Sequence, residues 1–188
     1  MKAWRLKALL AAMALQLLVL GGELLGAVYP HWTGEPVRLA IEPIDPRSLF
    51  RGNYVRLNYA INTIEMADGE RFVGLRQNEI VYVRLKPDAE GILQPDGVFF
   101  EPPGQGPFIR GRLRYVPFTD DGVARLHIVY GIEAYFLPLE KAREMEELMR
   151  QRRRAVATVM LAPNGKAAIA GVEISDLPAA ADSATATQ

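Results

Sequence analysis

Three residues carry the side chains that acyl-transfer or acid–base chemistry would draw on: Ser48, Lys86 and Glu133. A serine nucleophile needs its base within hydrogen-bond reach. Ser48 stands just before a strand entry, and Lys86 is remote from it in the chain. Glu133 would serve as a general acid or base only with a shifted pKa, which residue spacing does not supply. No catalytic residue is therefore assigned. The chain has no cysteine, which excludes disulfides, thiolate metal sites, a cysteine nucleophile and a lipidated cysteine. With His31 and His127 the only histidines, neither a metal site nor any other cofactor is expected. Lys+Arg and Asp+Glu balance at 22 each, so no overall field draws nucleic acid.

Recognition chemistry is better represented. The stretch from Glu42 to Tyr59 holds Asp45, Arg47, Arg51, Asn53, Tyr54 and Arg56 within a short span. Pro43 and Pro46 force extended or turn geometry on the residues before them. Gly52 and Asn53 both tolerate a left-handed conformation and suit a tight entry into a strand. Along that strand Val55, Leu57 and Tyr59 share one face, while Tyr54, Arg56 and Asn58 share the other. By the same alternation Glu133 and Tyr135 point away from Ile132 and Phe136. The candidate binding residues are Asp45, Arg47, Arg51, Asn53, Tyr54, Arg56, Glu133 and Tyr135. The competing reading is a buried ion pair with two amphipathic tyrosines completing the core.

Gly52-Asn53-Tyr54-Val55-Arg56-Leu57-Asn58-Tyr59 resembles the signature of the GDYXXLXY family of bacterial proteins, with Asn53 in place of the aspartate. The upstream Pro43-Ile44-Asp45-Pro46-Arg47 and the later Tyr130-Gly131-Ile132-Glu133-Ala134-Tyr135-Phe136 also match, and the similarity spans most of residues 31–176. After the second block the family usually continues Pro-Glu-Gly, where this chain has Pro138-Leu139-Glu140. The resemblance implies a membrane-anchored outer domain, often encoded beside multi-spanning membrane proteins, and implies no activity. Leu49-Phe50-Arg51-Gly52-Asn53-Tyr54-Val55 is also similar to a strand of signal peptidases, which implies the alternative of a divergent serine–lysine hydrolase. Those enzymes place their serine shortly before a proline; here Pro43 stands three before Pro46 and Ser48 lies on the wrong side.

The elements that would position these residues can be read from periodicity. Lys2, Arg5 and Lys7 precede an apolar run from Ala8 to Tyr29, about the length a helix needs to cross a bilayer. Positive charge before the run puts the N-terminus inside and the remainder outside the cytoplasmic membrane. Its leucines favour insertion by up to about 0.6 kcal/mol each, against about 3 kcal/mol for a central acid, and Glu23 lies toward the outer end. A cleaved signal peptide is the rival, but Ala27 and Gly22 lack a small residue two positions earlier. Period-two runs follow at Val37–Ile41, Val55–Ile61, Val81–Leu85, Ile109–Tyr115 and Leu126–Phe136. Asn164-Gly165 between Ala155–Leu161 and Ala167–Ile174 signals a hairpin. Leu139 to Arg154 has the apolar stripe and charge order of an amphipathic helix.

The expected protein is mainly β, an antiparallel sandwich or barrel with one amphipathic helix, preceded by one transmembrane helix. Residues 1–30 are stub and anchor, 31–176 the outer domain and 177–188 a disordered tail. Its expected partners are the lipid bilayer, through residues 8–29, and another membrane or envelope protein, which the outer domain would bind or help assemble.

Overall fold

A computed structural model describes residues 3–42, 54–138, 140–141 and 153–178. It opens with one long helix, α1 (Ala3–Thr33), which is long and apolar enough to cross a membrane and leaves its leucines exposed. The helix continues through Pro30 to Thr33, past residue 30, where the anchor was expected to end. Its last turn closes with Thr33 Oγ1 donating to the Tyr29 carbonyl and the Gly34 N–H donating to that of Pro30, both at 2.9 Å. Pro30 itself is buried against the β domain.

Among the described residues twelve strands follow. The first sheet has the order β12-β11-β1-β3, with β1 (Glu35–Glu42), β3 (Asn58–Tyr59), β11 (Arg153–Leu161) and β12 (Ala167–Pro178), all antiparallel. The second has the order β4-β9-β7-β5-β6, built from β4 (Thr63–Met66), β5 (Ile80–Pro87), β6 (Leu93–Phe99), β7 (Phe108–Leu113) and β9 (Val123–Val129), with β8 (Phe118–Asp120) also paired to β9. A short ribbon of β2 (Tyr54–Arg56) and β10 (Ala134–Phe136) completes the set. Neither sheet closes. Their inward residues form one core, with Leu39, Ile41, Ala157 and Val159 from the first sheet and Val81, Val83, Ile109, Leu126 and Ile128 from the second. Alternation decides which side chains enter it, because successive strand residues face opposite sides.

Several expectations need correcting. Of the helix over Leu139–Arg154, Glu140 and Lys141 are helical, and residues 139 and 142–152 lie outside those described. It does not reach Arg153 and Arg154, which open β11 and pair with Pro178 and Ser175. Ladder hydrogen bonds to a neighbouring strand there outweigh the small preference of arginine for a helix end. The same pairing extends β12 to Pro178, two residues into the stretch 177–188 expected as a disordered tail. Tyr115 falls beyond the end of β7 and is exposed rather than inward.

The expected Asn164-Gly165 hairpin is present, joining β11 to β12. Asn164 does not have positive φ, whereas Gly165 has φ +78°. The Gly165 N–H donates to the Ala162 carbonyl and the Ala162 N–H to that of Lys166. This is a three-residue connection with glycine at the left-handed position, not a two-residue turn with both central residues left-handed.

Candidate functional site

The two motif blocks, far apart in sequence, meet in the β2–β10 ribbon. Tyr54 pairs with Phe136, Val55 with Tyr135 and Arg56 with Ala134. One step further the Leu57 N–H donates to the Glu133 carbonyl at 2.8 Å. Gly131, at φ +86°, turns the chain out of β9 so that residues 132–136 can run alongside β2. On the other side Tyr59 ends β3 and a single 3-10 turn, Ala60–Asn62, carries the chain into β4.

Side chains then lock the blocks together in both directions. The Tyr59 hydroxyl donates to the Ile132 carbonyl at 2.8 Å, and the Tyr130 hydroxyl donates to the Ile61 carbonyl at 2.6 Å. Each block's tyrosine thus satisfies a backbone acceptor of the other. Between them lies Asn62, 8 % exposed and the one buried polar residue among those described. Its Oδ1 accepts the Tyr59 N–H at 2.5 Å, and its Nδ2 donates to the Ile128 carbonyl at 2.8 Å and to Glu133 Oε1 at 3.2 Å. Glu133 Oε1 also accepts the Tyr130 N–H at 2.6 Å, and Oε2 accepts the Gly131 N–H at 2.9 Å. Among the described residues no buried side-chain polar atom lacks a partner. A satisfied buried network of this kind specifies one arrangement, because every broken bond leaves a group desolvated.

Burial, reinforced by the neighbouring Glu133 carboxylate, pushes both Tyr59 and Tyr130 well above the ordinary phenol value. The two hydroxyls therefore remain protonated donors across the physiological range.

Among the sequence candidates, Asp45, Arg47, Arg51 and Asn53 lie outside the described residues, and of Tyr54 the backbone is described, in β2. Arg56 is half-buried and borders a polar hollow of about 60 Å³ with Asn58, Thr63, Arg114, His127 and Glu133. Glu133 is engaged in the clasp. Tyr135 is half-buried and packs against the core, whereas Phe136 is 72 % exposed, the reverse of the expected alternation. The break from strand geometry at residues 131–133 shifts the phase before β10 begins. Ser48 lies outside the described residues, and Lys86 is exposed near the end of β5, paired with Gln94 of β6. Asn62 was not singled out in the sequence. Its signal is a polar residue directly after Ile61, where the alternation Val55-Leu57-Tyr59-Ile61 stops.

The family model described as GDYXXLXY protein matches residues 16–172, from the middle of α1 into β12. Comparison with curated proteins and with solved structures returns no match.

Proposed function

This chain belongs to the GDYXXLXY family, and on that premise we propose that it is a recognition or assembly module, anchored in the cytoplasmic membrane by α1 with its β domain outside, and working with another membrane or envelope protein. The observation that carries the reading is the clasp. The signature tyrosine Tyr59 acts with Tyr130, Asn62 and Glu133 to hold the β2–β10 ribbon rigid, their polar groups bonded internally. The hollow beside the ribbon, about 60 Å³, is far below the roughly 300 Å³ at which small-molecule pockets begin. A rigid element edged by arginine and aromatic side chains suits binding to a partner surface, where such residues act as anchors. Lys2, Arg5 and Lys7, before the apolar run that begins at Ala8, support the orientation.

Site-specific photocrosslinking from the full chain in its native membranes tests this. A crosslinker at Arg56 or Phe136 is expected to give a discrete adduct with one membrane or envelope protein, and one at the exposed Asp96 of β6, on the far edge of the second sheet from β4, is not. Equal, diffuse labelling from all three positions overturns the binding reading. A peptide-cleaving activity lost in both Ser48→Ala and Lys86→Ala would replace it with the serine–lysine hydrolase.

A further inference from the structure

A second feature lies where α1 meets the β domain. Ile109, Gly111 and Leu113 of β7 face the core, so Arg110, Arg112 and the following Arg114 project from the opposite face. The hairpin between β11 and β12 brings Lys166 beside them, held by the Arg110 N–H donating to the Gly165 carbonyl at 2.8 Å. Gly26, Ala27 and Pro30 of α1 form the other wall of a cleft of about 500 Å³. A Cβ on Gly26 would stand 3.5 Å from Lys166 Nζ, so the ammonium lies directly against the helix.

The four cations share this cleft without a carboxylate in its lining, and none of them forms an ion pair among the described residues. Within the cleft their polar neighbours are amides: Arg112 donates to the Asn78 carbonyl at 3.0 Å, and Gln77 Nε2 donates to that of Arg114 at 3.1 Å, while Arg114 also borders the hollow that holds Glu133. Gathered like charges in a partly enclosed cleft repel one another and raise the local concentration of anions. Arginine guanidinium groups match phosphate oxygens in bidentate geometry.

The position of the cleft selects the anion. The apolar run from Ala8 to Tyr29 spans about 33 Å as a helix, close to the roughly 30 Å of a bilayer's hydrocarbon core. Gly26 to Pro30 therefore come at the outer boundary, with Trp32 exposed one turn on, where interfacial aromatics sit. We propose that the cleft formed by Arg110, Arg112, Arg114 and Lys166 against the end of α1 binds the phosphate of an anionic phospholipid headgroup in the leaflet from which α1 emerges. This rests on α1 spanning the membrane.

The test uses the full chain in neutral detergent micelles, with Trp4→Phe so that Trp32 is the only tryptophan. Energy transfer from Trp32 to dansyl-phosphatidylglycerol is expected to saturate at a mole fraction at least fivefold lower than with dansyl-phosphatidylcholine. Arg110→Gln with Lys166→Gln should abolish that preference, and Arg71→Gln should leave it. If the double variant loses its thermal transition, Lys166→Gln alone decides, with a loss of at least twofold expected. Equal transfer from both lipids overturns the proposal, as does an undiminished preference in the variants. Displacement by millimolar inorganic phosphate overturns the lipid source in favour of a free phosphate. Alkaline carbonate extraction of membranes separates this failure from that of the anchor. A chain that stays with the membrane but shows no headgroup preference lacks only the lipid site. A chain released by carbonate lacks the anchor as well.

Discussion

Tyr59 and Tyr130 give the clasp its most measurable consequences. Truncating either hydroxyl leaves a carbonyl, of Ile132 or of Ile61, without its donor in the interior. Tyr59→Phe and Tyr130→Phe are each expected to lower unfolding stability by about 1–3 kcal/mol in urea titrations. Asn62→Ala should cost at least as much, because it removes the acceptor of the Tyr59 N–H and the donor to Ile128 together. Its effect should not add to that of Glu133→Ala, since the two side chains share a bond and a double-mutant cycle isolates that coupling. The phenols also predict a pH dependence. Both titrate above their ordinary 10.0 in the folded chain, so the unfolded chain releases these protons first. Their contribution is complete below pH 10 and declines as pH climbs above it, by up to about 1.4 kcal/mol per pH unit for each tyrosine. Denaturant midpoints between pH 9 and 11 should show that fall, and the double phenylalanine variant should flatten it.

At the scale of elements, β7 and the β11–β12 hairpin depend on two glycines for different reasons. Gly111 lies under Ile128 and the ring of Tyr130, which occupy the space a Cβ would need. Gly111→Ala is expected to cost about 1–3 kcal/mol through overpacking and to displace the Tyr130 ring. Loss of the Tyr130 pH effect in that variant would show that β7 helps seat the clasp. Gly165 combines φ +78° with a Cβ position 2.7 Å from the Phe108 ring and 3.0 Å from the Arg110 nitrogen. Gly165→Ala therefore suffers backbone strain and a clash at once, and thermal unfolding should show a larger loss than for Gly74→Ala, where φ is +88° but the space is open.

For the whole molecule the decisive relation is between α1 and the sheet it touches. Pro30 is buried, and Gly34 packs so closely on the Met160–Leu161 backbone that a Cβ would lie 3.0 Å from the Leu161 nitrogen. The β domain is thus seated on the end of the helix. A reporter active only outside the cytoplasm, fused after Gln188, is expected to be active, with the mature chain retaining Met1 or Lys2. Soluble protein beginning near Val28 would instead identify a cleaved signal peptide. Gly34→Val is expected to loosen the domain from the helix, read as faster proteolysis at residues 33–35 without loss of the β-sheet circular dichroism signal.

The apolar helix, the mainly antiparallel β class and most core positions were legible in the residues alone, because these depend on periodicity and local turn chemistry, and the family was legible in the Gly52–Tyr59 and Tyr130–Phe136 blocks. Leu57 and Tyr59 were legible as core from alternation alone, and they are buried. Arg110, Arg112 and Arg114 were not singled out in the sequence, although the alternation along β7 puts them on one face, because nothing local says what faces them. Tertiary structure decided the rest. That Asn62 is buried between the motif blocks, bonded to the Ile128 carbonyl and to Glu133, depends on chain segments about seventy residues apart meeting. The phase of Tyr135 and Phe136 turned on the break at Gly131, and the fate of Arg153 and Arg154 on the neighbouring β12. Periodicity reports which way a side chain points along one element. Only the packing of distant elements supplies the partner that satisfies, or opposes, what is found there.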